Sequence, residues 1–363
     1  MDQIQYSPLL SRIMSWISKL PNEIAVDAVP DYHCAIGSFG GLKREENQDQ
    51  ASVIRINVAS TSKSYLLYAV LDGMGGMNEG AECAKLALST FIEAFVSSNH
   101  GSLLSELKYA EQKANNNVYE RYKGKGGATL SAIVINHKQE AAMICVGDTR
   151  IYGFNNSGCK QISTDDTVAA ALNRARSQQN IENNGYDNAL DVNGLLQFIG
   201  MEGGDFYPEV CPLDIADEKG YIILTDGAYQ KTSSVLNNII VNSCSPEVIL
   251  KRIITLSGWV GGEDNASGIC VWPAQRNVSY QNNASYLKIM LPQGRAIDIQ
   301  GQISVSQNVV AQHVQSKANT PVKETENPPS SKKSRSQKKK KTQKIRHSKS
   351  DQENLPLEIK NID

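Results

Sequence analysis

Four aspartates in this chain each stand at one end of a run of apolar residues, and each has a glycine within two positions. Asp72 follows YLLYAVL and precedes GMGG; Asp148 follows AAMICVG; Asp226 follows YIILT and precedes Gly227; Asp264 follows GGE and precedes Asn265 and the run SGICVW. Apolar runs of this kind, rich in β-branched residues on both faces, are strands of a sheet covered on each side. An acid at such a strand's end is not buried by the strand itself, and the neighbouring glycine lets other oxygens approach closely. A fifth acid, Asp49, lies in KREENQDQASVI just ahead of another strand. Singly, each Asp-Gly reads as a turn. Four strand-end copies in one chain demand a fold that explains where those ends go.

The strand candidates are Val53 to Val58, Tyr65 to Leu71, Ala132 to Ile135, Ala141 to Val146, Ile151 to Phe154, Tyr221 to Leu224 and Gly268 to Trp272. Apolar spacing predicts a helix from Glu79 to Val96, with Ala84, Leu88, Phe91, Ile92 and Phe95 on one stripe, and another from Leu103 to Tyr122 through Leu107, Ala110, Ala114 and Val118. A third begins with Ser245 as N-cap and Pro246 at its first position and stops at Gly258. Strands grouped between helices of this length indicate an α+β layered domain rather than a regular βαβ repeat. Residues 1–31 read as a lead helix, with Leu9, Leu10, Ile13, Met14 and Ile17 at helical spacing and Pro21 as its stop. Residues 32–275 hold the folded body. Residues 276–318 are an extension without an assigned role, in which Leu287 to Leu291 and Ile297 to Val305 alternate as a hairpin would. From 319 to 363 Pro, Ser, Lys and Gln dominate, and this tail is expected to be disordered.

Charge divides the chain in the same way. The 363 residues carry 37 Lys plus Arg against 38 Asp plus Glu, but ten of the basic residues fall within 331–350, which contains no acid. Removing those ten leaves 27 basic against 38 acidic residues, so an acidic body carries a basic tail. The tail reads as a solvated solubilising segment, an anchor for nucleic acid or anionic lipid, or a docking arm for an acidic protein. No aromatic residue lies within 331–363 to stack on bases, which places an unspecific electrostatic arm first. The seven cysteines form no C-x-x-C pair and read as reduced intracellular thiols. The N-terminal residues lack the apolar core of a signal peptide, and no apolar run approaches the length of a membrane span. A cytoplasmic monomer is the expectation.

Convergence of the aspartate-bearing ends would create a cluster of hard oxygen ligands. The five histidines show no metal-ligand spacing, so the cluster suits Mg²⁺ or Mn²⁺ and not Zn²⁺ or Cu²⁺. Carboxylates packed together without cations repel one another strongly, and metal relieves that repulsion. Two ions roughly 3.5 to 4 Å apart are a known device for hydrolysing phosphate esters.

The ordered series REENQD at 44–49, DGMGG at 72–76, GGAT at 126–129, GDTRIY at 147–152, TDDT at 164–167, TDG at 225–227 and EDN at 263–265 resembles the motif set of the metal-dependent type 2C protein serine/threonine phosphatases, in their bacterial form. The likeness spans residues 32–273. Each motif alone is a common short string; the order and spacing of seven carry the resemblance. It implies a β-sandwich of two antiparallel sheets flanked by helices, with a metal site at one end between the sheets. It implies that Asp72 bridges two Mn²⁺ or Mg²⁺ ions, that the Gly73 carbonyl helps hold the second, and that Asp226 and Asp264 bind the first. Asp148 matches a ligand of a weaker third ion, Asp49 sits close to the centre, and Arg44 grips the substrate phosphate through its planar fork. Asn265 and Thr129 support these groups. The implied reaction has no protein nucleophile: a water bridging the two ions attacks phosphorus in line, and the seryl or threonyl oxygen leaves.

Four positions depart from that pattern. Met74 stands where many members, especially eukaryotic ones, have histidine, Gln48 replaces an acid, Asp166 stands where a histidine follows Asp165, and Ala128 replaces Ser or Thr. Residues 168–205 fall where the family carries a flap beside its active site. The resemblance implies a phosphorylated protein as substrate and an opposing serine/threonine kinase. The competing reading is a pseudophosphatase that keeps the fold as a phosphoprotein-binding or scaffolding module.

Overall fold

The computed structural model describes residues 6–17, 19–61, 63–75, 79–179, 194–203, 207–215, 218–272 and 284–300. The basic tail, the stretch 180–193, Gly76 and the 301–305 end of the expected hairpin lie outside the described residues. Two antiparallel sheets make up the core of the unit formed by residues 1–309. One has six strands in the order β1 (Ala25–Val29), β2 (Cys34–Phe39), β13 (Ala266–Val271), β12 (Gly220–Leu224), β9 (Arg150–Asn155) and β10 (Gly158–Gln161). The other has seven, in the order β11 (Glu209–Leu213), β8 (Ala141–Val146), β7 (Leu130–Asn136), β4 (Lys63–Leu71), β3 (Gln50–Val58), β14 (Tyr286–Leu291) and β15 (Arg295–Gln300). A small ribbon pairs β5 (Gly73–Gly75) with β6 (Gly126–Ala128).

Side chains alternate across each strand, and the alternation sorts the apolar residues into three layers. Along β4, Leu66, Tyr68 and Val70 point between the sheets, where they meet Ile36, Ile223 and Ile269 of the six-stranded sheet. Leu67, Ala69 and Leu71 point outward, under helices α2 (Glu79–Ser97) and α3 (Leu103–Tyr122). Along β12, Tyr221 and Ile223 face inward, while Ile222 and Leu224 pack on Ile249, Leu250 and Ile253 of helix α7 (Pro246–Trp259). The order is helix, sheet, sheet, helix, as the double-faced apolar strands require.

Helix starts are set by their caps. Ser245 Oγ accepts from Val248 N at 3.2 Å ahead of Pro246, and Ser102 Oγ accepts from Ser105 N at 3.2 Å ahead of α3. Caps of this kind contribute about 1 kcal/mol each. Helix α7 runs one residue beyond Gly258, because Val260 N–H still reaches the Leu256 carbonyl at 3.0 Å.

The structure refines the sequence expectation in three segments. Helix α1 (Pro8–Trp16) stops before Pro21, as Ile17 turns extended and drives its side chain into the core. The lead segment then continues as β1, which pairs with β2 from Ala25↔Ser38 to Val29↔Cys34. The expected hairpin forms as β14 and β15, and β14 adds to the sheet along β3 from Tyr286↔Asn57 to Met290↔Val53. Within the region matched to a flap, helix α4 covers Val168–Gln179. Two short helices, α5 (Asp226–Tyr229) and α6 (Leu236–Val241), complete the layer around α7.

Candidate active site

Strand register decides that the aspartates meet. Gln50 pairs with Leu71, so Asp49 and Asp72 leave neighbouring strands at the same end. Leu130 pairs with Val146, which brings Thr129 and the Gly147–Asp148 turn to that end. In the other sheet Leu224 lies opposite both Arg150 and Gly268, so Asp226, Asp148 and Asp264 collect together. Two loops cross between the sheets here: 40–49 joins β2 to β3 and carries Arg44 and Asp49, and 147–149 joins β8 to β9 and carries Asp148.

Glycine and asparagine close the gaps. A Cβ on Gly73 would lie 2.3 Å from the Gly80 carbonyl oxygen and 2.7 Å from the Gln48 carbonyl oxygen, so only glycine lets α2, the 40–49 loop and β5 converge. A Cβ on Gly227 would lie 2.0 Å from the Asn265 carbonyl oxygen. Asn265 clamps the crossing loop at both ends: its Nδ2 donates to the carbonyls of Gly40 (2.7 Å) and Glu46 (3.2 Å), and its Oδ1 accepts from Gln48 N (2.9 Å). Thr129 and Asp72 hold each other through backbone and hydroxyl. Thr129 N donates to the Asp72 carbonyl and Asp72 N to Thr129 Oγ1, both at 2.8 Å. The hydroxyls of Thr129 and Thr149 are 2.7 Å apart.

The resulting acids are poorly compensated. Burial pushes the Asp72 carboxyl well above the usual carboxylate range, and the charges of Asp49, Asp226, Asp148 and Asp264 push it further. Asp49 is fully buried and its pKa rises to about 8, chiefly through desolvation, although Thr225 Oγ1 donates to its Oδ2 at 3.0 Å. Asp148 rises to about 7 from burial and then from repulsion by Asp226 and Asp165. Asp226 is raised by burial and then by the charge of Asp264. Mutually repelling acids of this kind are the pattern of a candidate functional site.

Whether divalent ions fit is answered by the donors themselves. Every acid here offers hard oxygen, and Asp49 Oδ1 and Asp226 Oδ1 are buried with no hydrogen-bond partner among the described residues. These features suit Mg²⁺ or Mn²⁺. Asp264 is committed elsewhere: Arg44 Nε and Nη2 grip its two oxygens at 2.7 Å each. As the side chains stand, no group of three or more His, Cys, Asp or Glu among the described residues is arranged to hold a metal ion.

The departures from the family pattern have structural settings. The Gln48 side-chain oxygen packs against Gly80 at the start of α2. Ala128 is fully buried in β6 and exchanges backbone hydrogen bonds with Ile199. Met74 is half-buried and pairs across the ribbon with Gly127. Asp166 accepts from Gly147 N (3.1 Å) and Gln197 Nε2 (3.0 Å), and so ties residues 196–197 to the turn before Asp148.

Three nearby residues have no role assigned from the sequence. Tyr229 donates its hydroxyl to the Asp148 carbonyl at 3.1 Å and lies under the Arg150 guanidinium, 3.9 Å from ring centre to Cζ. Gln230 Nε2 donates to Asp226 Oδ2 at 2.8 Å. Arg150 forks onto Asp165, with Nη2 to Oδ2 at 2.7 Å. The signal for Gln230 is its i+4 spacing from Asp226 at a helix start; the pairing of Arg150 with Asp165 depends on the β9–β10 turn and has no local signal.

Comparison with solved structures returns the same architecture. The PPM Ser-Thr phosphatase MsPP from Mycobacterium smegmatis, solved with cacodylate, matches at 24% identity and TM-score 0.52, covering 66% of this chain and 97% of that one. A serine/threonine phosphatase of S. agalactiae matches at 19% identity and TM-score 0.56, covering 65% and 97%. Stp1 of Staphylococcus aureus matches at 16% identity and TM-score 0.56, covering 69% and 98%. The chain therefore has the fold of the PPM-type serine/threonine phosphatases. No family model matches the sequence, and a comparison with curated proteins finds no match. Among the described residues no helix is long and apolar enough to cross a membrane.

Proposed function

We propose that this chain is a type 2C metal-dependent phosphatase that removes phosphate from phosphoserine and phosphothreonine in proteins. The observation that carries the reading is the gathering of Asp49, Asp72, Asp148, Asp226 and Asp264 into one mutually repelling cluster beside Arg44. Asp72, Asp226, Asp264 and the Gly73 carbonyl would hold two Mn²⁺ or Mg²⁺ ions, with Asp49 close by and Asp148 serving a weaker third. Bound there, such ions activate water toward phosphorus and neutralise charge on the phosphoryl oxygens.

The chain's own residues supply the rest. Arg44, half-exposed on a crossing loop, offers two N–H groups to a phosphate in place of Asp264. Asn265 keeps that loop registered on the centre, and Thr129 fixes the Asp72 backbone. With Met74 in place of a histidine, no imidazole at that position protonates the departing seryl or threonyl oxygen, so the proton comes from water. The basic run 331–350 acts apart from the chemistry, as an electrostatic arm toward an anionic partner, and an opposing serine/threonine kinase supplies the substrate.

The engagement of both Asp264 oxygens by Arg44 favours a second reading, a pseudophosphatase that binds phosphoproteins without hydrolysing them. Phosphate release from a phosphothreonine peptide, with and without Mn²⁺, separates the two. Hydrolysis that requires Mn²⁺ and disappears in Asp226→Asn supports the enzyme; a folded protein that binds the peptide and releases nothing at any metal concentration supports the scaffold.

A further inference from the structure

Helix α3 carries a carboxylate that no described group satisfies. Glu111 is 2% exposed, and its Oε1 is buried without a hydrogen-bond partner. No charged neighbour offsets the desolvation, and burial alone pushes its carboxyl up to about 8. Its neighbours on the helix, Ala110, Ala114 and Val118, fill the core as periodicity demands, so packing there calls for an apolar side chain. An unsatisfied buried acid destabilises the fold unless something binds to it.

Glu111 lines a cavity of about 710 Å³ between α3 and the segment around Tyr207 and Pro208. That volume lies within the range of small-molecule sites. Lys108, one turn earlier on α3, lines the same cavity and has no ion-pair partner among the described residues. Tyr109, Gln112 and Asn116 line it too and carry a hydroxyl and two side-chain amides. The Tyr109 ring is steadied by His100, 4.4 Å away between centres. A simple cation would face Lys108 on entering, and a simple anion would face Glu111.

We propose that this cavity binds a small zwitterion, an amino acid with a second cationic end, whose guanidinium or ammonium group pairs with Glu111 while its carboxylate faces Lys108. A cationic donor makes a charge-assisted hydrogen bond to a carboxylate that is roughly twice as strong as one from a neutral donor, which suits a buried acid best. The site is distinct from the aspartate cluster and does not rest on the phosphatase reading.

One connection gives the binding event a readout. Asn115, four residues after Glu111 on the helix, accepts from Gly200 N at 2.7 Å and donates to the Met201 carbonyl at 3.1 Å. Ile199 in turn exchanges hydrogen bonds with Ala128, next to Thr129. A ligand that steadies this part of α3 therefore slows hydrogen exchange at residues 199–201.

The test is calorimetric titration of the full-length protein with L-arginine, L-lysine and L-citrulline, the last replacing guanidinium by neutral urea at nearly the same shape. Arginine or lysine should bind, citrulline at least about tenfold more weakly, as a charge-assisted hydrogen bond requires. Glu111→Gln should lose about tenfold or more for arginine, and Lys108→Gln should lose less. Exchange at 199–201 should slow with arginine in the wild type and not in Glu111→Gln. No binding of arginine or lysine by about 10 mM, equal affinity for arginine and citrulline, or undiminished binding in Glu111→Gln overturns the proposal. If Glu111→Gln fails to fold, the arginine–citrulline comparison on the wild type decides alone.

Discussion

The two ends of β4 treat buried charge in opposite ways. At its start Lys63 forms an ion pair with Glu106 of α3, and the Tyr65 hydroxyl donates to the other Glu106 oxygen at 3.1 Å. At its far end, about 30 Å away for a strand of this length, Asp72 stands among four other acids, and the cluster has Arg44 clamping Asp264. The Glu106 side chain, only 3% exposed, is fully accounted for by protein groups, so its role ends with the fold. The acids at the Asp72 end are held by backbone and asparagine while their charges oppose one another. Buried charge that is paired serves stability; buried charge that is positioned but unpaired waits for a ligand.

The difference predicts opposite responses to neutralisation, and the largest concerns activity. Asp72→Asn should cut phosphate release by about 10³-fold, a loss of the order seen when a transition-state charge stabiliser is removed, while far-ultraviolet circular dichroism stays unchanged. Next in size, Lys63→Met should destabilise the protein by about 3 kcal/mol, since it strands Glu106 in the interior; denaturant unfolding would show this, with activity per folded molecule intact. A loss of activity without loss of stability in Lys63→Met would erase the contrast between the two ends.

Asp49→Asn should act in the other direction on the metal-free protein, raising stability by about 1 kcal/mol at pH 8. The sign follows from proton linkage. The folded pKa of Asp49, about 8, lies above its unfolded value near 4, so between those values the folded state binds more protons than the unfolded one. Stability of the metal-free protein therefore falls as pH rises through that window, and Asp49→Asn flattens the fall. A Tm series from pH 5 to 8 without divalent ions checks it; a wild-type slope no steeper than that of Asp49→Asn contradicts it.

The smallest effect concerns Arg44. Arg44→Lys keeps the charge but loses the fork that occupies Asp264, so Mn²⁺ affinity should rise by about threefold while KM for a phosphopeptide also rises. Calorimetry gives the first and initial rates the second. Unchanged metal affinity would mean that the Arg44–Asp264 pair does not compete with the ion.

Much of this was legible in the sequence, for identifiable reasons. Helices α2, α3 and α7 announce themselves by apolar spacing, α7 also by its Ser245 cap, and the double-faced strands β4 and β12 by runs too apolar for a surface. Strand β1 was missed because AVDAV is a half-exposed edge strand with an acid at its centre, and β2 because CAIGSF mixes small residues with glycine. The attachment of the 286–300 hairpin to β3 depends on pairing with residues more than 200 positions away, which no local pattern encodes. At the candidate site, strand ends and flanking glycines singled out aspartates that the strand ends bring close together. That they meet rests on register, Gln50 with Leu71 and Leu224 with Arg150, and register is set by the whole sheet. The grip of Arg44 on Asp264 follows from a loop crossing between sheets, stitched by Asn265 and by Leu42 N donating to the Gly262 carbonyl at 2.7 Å.

Binding of Mn²⁺ to the metal-free protein, followed by calorimetry beside the same titration of Asp72→Asn, addresses the aspartate cluster most directly. Saturable binding of at least two ions per wild-type chain, accompanied by a rise in Tm and lost in Asp72→Asn, is the predicted result. A folded wild-type protein that takes up no Mn²⁺ or Mg²⁺ at millimolar concentration, or one that binds them equally well after Asp72→Asn, would contradict it.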